Sequence, residues 1–197
     1  MEKKLFSYIR VFLLNILNIY YFYLNIWFHI IYNIKFTTER MTHNPINEGP
    51  KIALFEPDIP QNTAAIIRTC ACLGTKLEII EPCGFLLNDK RFERVVMDYM
   101  EEKNITFYKS FDEFSKFKEN QRIILMTTKA SISYTKFKFD KNDTILFGRE
   151  SAGVPIEVHK LIKDRLKIPM KNNKRSLNVA TSVAIILAES LKQTRLI

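Results

Sequence analysis

Three separated clusters in the chain carry the residue types that could hold and polarise a ligand. The first is Pro60-Gln61-Asn62, with Arg68 shortly after it; the second is Gly148-Arg149-Glu150-Ser151-Ala152-Gly153-Val154-Pro155; the third is Ile168-Pro169-Met170, followed by Ser176-Leu177-Asn178. Between them they offer amides, a carboxylate, a hydroxyl, a guanidinium and two glycines. Gly148 closes an apolar run and Gly153-Val154-Pro155 opens a helical one, so backbone N–H groups there can approach a ligand with no Cβ in the way. Each cluster also has a plainer reading. The second suits a strand–helix turn, Pro169 an edge-strand exit, Ser176 an N-cap and Arg68 a solvated charge.

Other chemistries find little support. Cys70, Cys72 and Cys83 form no CxxC pair, and with His29, His43 and His159 they give no zinc-ligand spacing, so no metal is expected. Cys70 and Cys72 fit in or beside a helix core as small apolar residues, and unpaired cysteines fit a reduced, cytoplasmic setting. With only five glycines, the chain has neither a GxGxxG after its first strand nor a GxxxxGK[ST]. The usual dinucleotide turn and the P-loop are therefore excluded, and a nucleotide-like cofactor would have to be held by loops around Gly148 and Gly153.

The elements that must position the clusters follow from periodicity. Lys51–Phe55, Leu77–Ile80, Ile105–Tyr108, Arg122–Met126, Thr144–Phe147 and Leu166–Ile168 are short apolar runs that predict buried strands. Helices are predicted from Pro60 to Gly74, over Asp89–Met100, Asp112–Lys118 and Pro155–Ile162, and after Ser176, where Val179, Val183, Ile186, Leu187 and Leu191 make an apolar stripe. Alternating short strands and helices indicate an α/β fold with a mainly parallel sheet covered on both faces. Each cluster then falls where a strand gives way to a loop or helix, the edge at which such sheets bind ligands.

The 197 residues carry a net charge of +9, which favours a polyanionic partner, nucleic acid or an anionic membrane surface, over an acidic protein. The first 40 residues hold five Lys/Arg and two Asp/Glu, leaving +6 on the remaining 157. Val11 to Ile34 is free of formal charge and long enough to span a bilayer, but Asn15, Asn18, Asn25 and Asn33 are costly in hydrocarbon. Phe, Tyr, Ile, Asn and Lys, whose codons can be built from A and T alone, supply 24 of the first 40 residues. The expectation is that residues 1–40 are translated upstream sequence outside the fold, with Met41 as the start, and that no stable membrane association exists.

The three clusters in this order resemble the SPOUT-class RNA ribose methyltransferases. The matching segments are strand-Glu-Pro-x-Ile-Pro-Gln-Asn-Thr…Ile-Ile-Arg, Phe-Gly-x-Glu-x-x-Gly-x-Pro and Ile-Pro-Met…Ser-Leu-Asn-Val-Ala-x-Ser-Val-Ala. Ile79-Ile80-Glu81-Pro82-Cys83-Gly84-Phe85 and Asp89-Lys90-Arg91 add similarity to the tRNA (cytidine/uridine) 2′-O-methyltransferases that act on the wobble nucleotide of leucine tRNAs. The resemblance runs from Ile52 to Gln193, within a domain set at residues 51–195.

It implies a C-terminal trefoil knot, a homodimer, and S-adenosylmethionine as the only cofactor, contacting Met126, Gly148, Ile168 and Ser176, with Glu150 organising the middle loop. Asn62, Arg68, Ser176 and Asn178 would face the reacting ribose of a leucine tRNA isoacceptor. Many relatives carry Arg where this chain has Ala152, and here Arg149 precedes Glu150 instead. Lys129, Lys136, Lys138, Lys163, Lys167, Lys171, Lys174 and Arg175 are expected to supply tRNA phosphate contacts. A different tRNA or rRNA target, and a non-catalytic RNA-binding protein of the same fold, are the alternatives.

Overall fold

The computed structural model describes residues 49–86, 92, 96, 99, 104–171 and 174–197. The expectations for residues 1–40 and for a start at Met41 lie outside these residues. So does most of the helix predicted over Asp89–Met100, of which Phe92, Val96 and Tyr99 are described and are helical.

Seven strands are present among the described residues: β1 (Lys51–Phe55), β2 (Leu77–Ile80), β3 (Ile105–Tyr108), β4 (Ile123–Met126), β5 (Ile132–Ser133), β6 (Thr144–Phe147) and β7 (Asp164–Lys167). They form one sheet in the order β3-β2-β1-β6-β4-β7-β5, with every neighbouring pair parallel. The helices are α1 (Pro60–Cys72), α2 (Phe111–Phe117), α3 (Ile156–Leu161) and α4 (Val179–Gln193). The central strands are apolar at nearly every position because both of their faces are covered. Alternate side chains feed two cores. Ile52, Leu54, Ile79, Ile124, Ile145 and Phe147 meet Ile66, Ile67 and Cys70 of α1 and Val183, Ile186, Leu187 and Leu191 of α4. Ala53, Phe55, Ile80, Leu125 and Leu146 meet Phe114 of α2 and Val158 of α3.

Local chemistry sets the boundaries. Pro60 occupies the start of α1, where its missing N–H costs nothing, and Gly74 at φ +66° reverses the chain after it. Ser110 caps α2 by accepting from the Glu113 backbone N–H at 3.2 Å, with Asp112 and Glu113 at the positive helix end.

Four expectations need correction. Ser176 does not cap the last helix: Asn178 does, its side-chain oxygen accepting from Ala180 N–H at 2.8 Å and Thr181 N–H at 3.3 Å, because the helix starts at Val179 and the cap must be the residue before it. β7 starts at Asp164, in register with Ile124, and ends before Ile168. β5 adds a strand to the expected set, since two residues carry no period to read. Cys72 is exposed, on the solvent side of the last turn of α1.

Strand order decides where the three clusters meet. β1, β6, β4 and β7 lie side by side in a register that pairs Leu54 and Met126 with Phe147, and Met126 with Leu166. The loops after these strands, carrying all three clusters, therefore leave the sheet at one edge.

One buried ion pair sits on the opposite core. Glu78 of β2 meets Lys118 at 2.5 Å, both nearly inaccessible to solvent, and Lys118 also donates to Gln121 Oε1 at 3.1 Å. Burial pulls the Lys118 ammonium below its usual value, against the opposing influence of Glu78. Lys118→Met should leave Glu78 buried and unmatched and cost about 3–5 kcal/mol. The double replacement Lys118→Met/Glu78→Leu should recover most of that loss. Urea unfolding midpoints of the three proteins check both statements.

Candidate functional site

Where β1, β6, β4 and β7 end, the structure has a cavity of about 560 Å³, within the roughly 300–1,000 Å³ typical of small-molecule sites. Leu125, Met126 and Phe147 from the strand ends, with Ile168 just past β7, give it an apolar floor. The loops after β4, β6 and β7 form the walls, and Ile59 and Asn62 close it from the side of α1. Met126, Gly148, Glu150, Ile168, Ser176, Asn62 and Asn178, drawn from four segments of the chain, all line this one cavity.

Arg68 does not. It is exposed on α1 and outside the cavity lining of its own chain, with Nε donating to the Tyr99 hydroxyl at 3.1 Å and the guanidinium 5.3 Å from that ring's centre. Asn62 and Arg68 are six residues apart, about 1.7 helical turns, so on α1 they point to different sides.

The wall made by residues 148–155 is tightly folded. Arg149 N–H donates to Gly153 C=O at 3.1 Å and Gly153 N–H returns to Arg149 C=O at 2.8 Å. A Cβ on Gly148 would lie 2.5 Å from the Gly153 carbonyl carbon, and Gly153 itself is at φ +71°. Both glycines are thus required, one for space and one for backbone conformation. The result is a loop closed on itself, of which residues 148–154 line the cavity.

A continuous polar network joins this loop to the first and third clusters. Asn178, besides capping α4, donates from Nδ2 to Asn62 Oδ1 at 2.8 Å. Asn62 Nδ2 donates to Glu150 Oε1 at 2.9 Å. The other Glu150 oxygen accepts from Asp58 N–H at 3.1 Å. Asp58 in turn accepts from Glu150 N–H at 3.1 Å and Ser151 N–H at 3.3 Å, and from the Ser151 hydroxyl. Burial pushes Glu150 above the usual carboxylate range and Asp58 adds to the rise; the hydrogen bond with Glu150 holds Asp58 below that range. Of the two, Glu150 takes up a proton first as pH falls.

Arg149 pairs with Glu56, the first residue past β1. Glu56 has φ +44°, a left-handed conformation that costs energy for any side chain other than glycine, and the ion pair helps to hold it.

Asp58 is the residue the motifs did not single out. It occupies the variable position of Glu-Pro-x-Ile-Pro, and a lone Asp in a turn carries no signal by itself. His159 lines the cavity as well, with Nδ1 3.2 Å from Arg165. Burial raises the Cys70 thiol to about 12, and burial, then Glu81, raises Cys83 to about 11; neither is a nucleophile near neutrality. No group of three or more potential metal-ligating residues exists among the described residues.

The chain is similar in sequence and fold to proteins of one family. A sequence model described as the SpoU rRNA Methylase family matches residues 50–188. A tRNA (cytidine(34)-2′-O)-methyltransferase of Beijerinckia indica is 45% identical over 144 residues, covering 72% of this chain and 90% of that protein. A solved structure concerned with the 2-OH methylation of C/U34 on tRNA superposes with a TM-score of 0.70 at 34% identity, over 74% of this chain and 96% of the other. The SpoU methyltransferase AviRb from Streptomyces viridochromogenes, in complex with AdoMet, shares the fold with a TM-score of 0.67 at 23% identity, over 76% of this chain and 59% of its own.

Two outcomes test the site's construction. Asn178→Ala should cost about 1 kcal/mol through loss of the cap, whereas Ser176→Ala should change stability by less than about 0.5 kcal/mol. Gly148→Ala should cost about 1–3 kcal/mol by overpacking against Gly153. Chemical unfolding of each variant gives the comparison.

Proposed function

The chain belongs to the SpoU methylase family, and on that premise we propose that it transfers a methyl group from S-adenosylmethionine to the ribose 2′-hydroxyl of the wobble nucleotide, C or U, in leucine tRNAs. The single observation that carries this reading is the convergence of Met126, Gly148, Glu150, Ile168, Ser176, Asn62 and Asn178 on one cavity. Relatives named for methylation at cytidine 34 of tRNA, matched over nine-tenths of their length, support the tRNA target over the rRNA in the family's description.

The residues present fit the cofactor. The apolar floor of Met126, Phe147 and Ile168 suits a flat heterocycle, and the 148–153 loop, closed on itself between Arg149 and Gly153 and pinned by Asp58, gives it a fixed wall. When bound, S-adenosylmethionine supplies an electrophilic methyl on a sulfonium sulfur. The protein's part is then positional: the ribose oxygen must be held in line with that methyl, and such alignment can account for about 7–11 kcal/mol of a barrier. Asn62, Ser176 and Asn178 provide neutral donors and acceptors at the mouth for the nucleotide. Glu150 fixes the loop through Asn62 and Asp58. Arg68 stabilises the negative charge that develops on the 2′-oxygen and clamps the neighbouring phosphate; a guanidinium holds its proton too firmly to act as the base, so phosphate or water accepts the proton.

Arg68 lies outside the cavity of its own chain, which supports a homodimer in which each Arg68 serves the other copy's cavity. A C-terminal trefoil knot is part of the same reading. The return of the chain from β7, through the 168–178 segment beside the 148–155 loop, to α4 packed on α1 supports it. Lys129 and Arg175 line the cavity, which supports contacts from them to tRNA phosphates; Lys136, Lys138, Lys163, Lys167, Lys171 and Lys174 complete the basic set in this reading. The reading uses no metal and no membrane partner, and a cytoplasmic location follows from the substrate.

Incubation with labelled S-adenosylmethionine and total RNA, tRNA and rRNA together, should put label on the wobble ribose of leucine isoacceptors. Label on rRNA alone would move the target, and no transfer to any RNA would favour a non-catalytic binder. The shared site makes a second prediction. Arg68→Ala and a variant that cannot bind cofactor should each lose more than about 100-fold in rate, yet their mixed dimer should regain activity. A mixed dimer as inactive as its parents would show that Arg68 does not act across the interface.

A further inference from the structure

We propose that Asp58 is a positioning residue that couples the cofactor-holding loop to the helix carrying Asn62, so that the two halves of the site are set together. The inference rests on the function proposed above and goes beyond it, since Asp58 stands at the variable position of its motif and is none of the residues that point to that function. It is not itself a cavity-lining residue but holds two that are, Glu150 and Ser151, and on this reading it touches no reacting atom.

The geometry is reciprocal. The Asp58 carboxylate gathers two successive main-chain N–H groups, of Glu150 at 3.1 Å and Ser151 at 3.3 Å, together with the Ser151 hydroxyl. Its own N–H donates to Glu150 Oε2 at 3.1 Å. Two carboxylates, 92 positions apart in the chain, thus each hold the other's backbone. Hydrogen bonds to a charged acceptor are stronger than neutral ones, and here three converge on one side chain.

Asp58 is also fixed from behind. Gly84 N–H donates to Pro57 C=O at 2.9 Å, and a Cβ on Gly84 would sit 2.7 Å from Asp58 Cβ. The loop after β2 therefore presses directly on this turn. Asp58 stands two residues before the start of α1, so its position sets where that helix begins and where Asn62 presents its amide to Glu150 and Asn178. A shift of the 148–155 loop reaches the nucleotide-facing amides by two routes, directly from Glu150 to Asn62 and through the Asp58 carboxylate to the start of α1.

The experiment compares the unaltered protein with Asp58→Ala, Asp58→Asn, Asp58→Glu and Ser151→Ala. Cofactor binding is measured by calorimetry without RNA, single-turnover methyl transfer is measured at saturating tRNA and cofactor, and thermal unfolding is followed in parallel. Asp58→Ala should weaken cofactor binding and slow methyl transfer about tenfold each, as the loss of one to two net hydrogen bonds predicts. Ser151→Ala should follow in the same direction by about threefold, and Asp58→Glu should restore part of the loss. In a cycle with Glu150→Gln, the combined loss should fall well short of the product of the single losses, because both act on one junction.

Should Asp58→Ala fail to fold, Asp58→Asn and Ser151→Ala carry the same comparison. If the unaltered protein neither binds S-adenosylmethionine nor methylates tRNA, the proposed function is wrong and the role of Asp58 falls with it. If it does both while the Asp58 and Ser151 variants match it, or if the Asp58 and Glu150 losses simply multiply, the function stands and the coupling role is overturned.

Discussion

Glu150 and Asp58 each bind the other's main-chain nitrogen, and the shape of the cavity depends on that exchange. A loop of eight residues following β6, two of them glycines, is tied within itself only by the Arg149–Gly153 backbone pair among its described hydrogen bonds. Pinning it to the turn after β1 converts it from a surface loop into a wall. The same junction passes through Asn62 to Asn178, and so reaches the start of α4. Three strand-exit segments, far apart in sequence, are thereby fixed with respect to one another by four side chains.

The sheet makes this exchange possible. Parallel strands need crossovers, and crossovers leave every strand's C-terminal end on one edge. With β1, β6, β4 and β7 adjacent, the segments they release are neighbours before any side chain acts. The cavity is then bounded by an apolar floor and by loops that, among the described residues, carry no nucleophile activated by its surroundings, which suits a ligand that must be oriented and not attacked by the protein. The chain's cysteines are consistent with that division: Cys70 and Cys83 are held as thiols by burial. The strongly buried ion pair of Glu78 with Lys118 serves the opposite core.

Charge plays a separate part. The excess of basic residues favours a polyanion at the surface, where attraction is long-ranged and falls with salt. Within the cavity lining the polar groups supplied by Asn62, Ser176 and Asn178 are neutral. In the proposed function, attraction of the RNA and alignment of one ribose thus rest on different residues. Arg68 belongs to both sets by chemistry but to neither by position in a single chain, which is why a second copy enters the proposed site.

The strands, the helices and the sheet class were legible in the order of amino acids alone, because short apolar runs and helical spacing are local properties that hold without knowledge of contacts. β1, β2, β3 and β6 match their expected limits to the residue. Many of the cavity's residues lie in the three clusters, but each cluster alone has a plainer reading, and it was the family resemblance carried by their order that singled out Met126, Gly148, Ile168 and Ser176 together. Other features arise only once the chain is folded. The cap of α4 falls to Asn178 instead of Ser176 because the helix begins where packing against α1 allows. Arg68 lies outside the cavity because α1 turns it away from Asn62. Asp58 gains its role only when a turn near position 58 meets a loop near position 150, a meeting fixed by strand order, which no local pattern encodes.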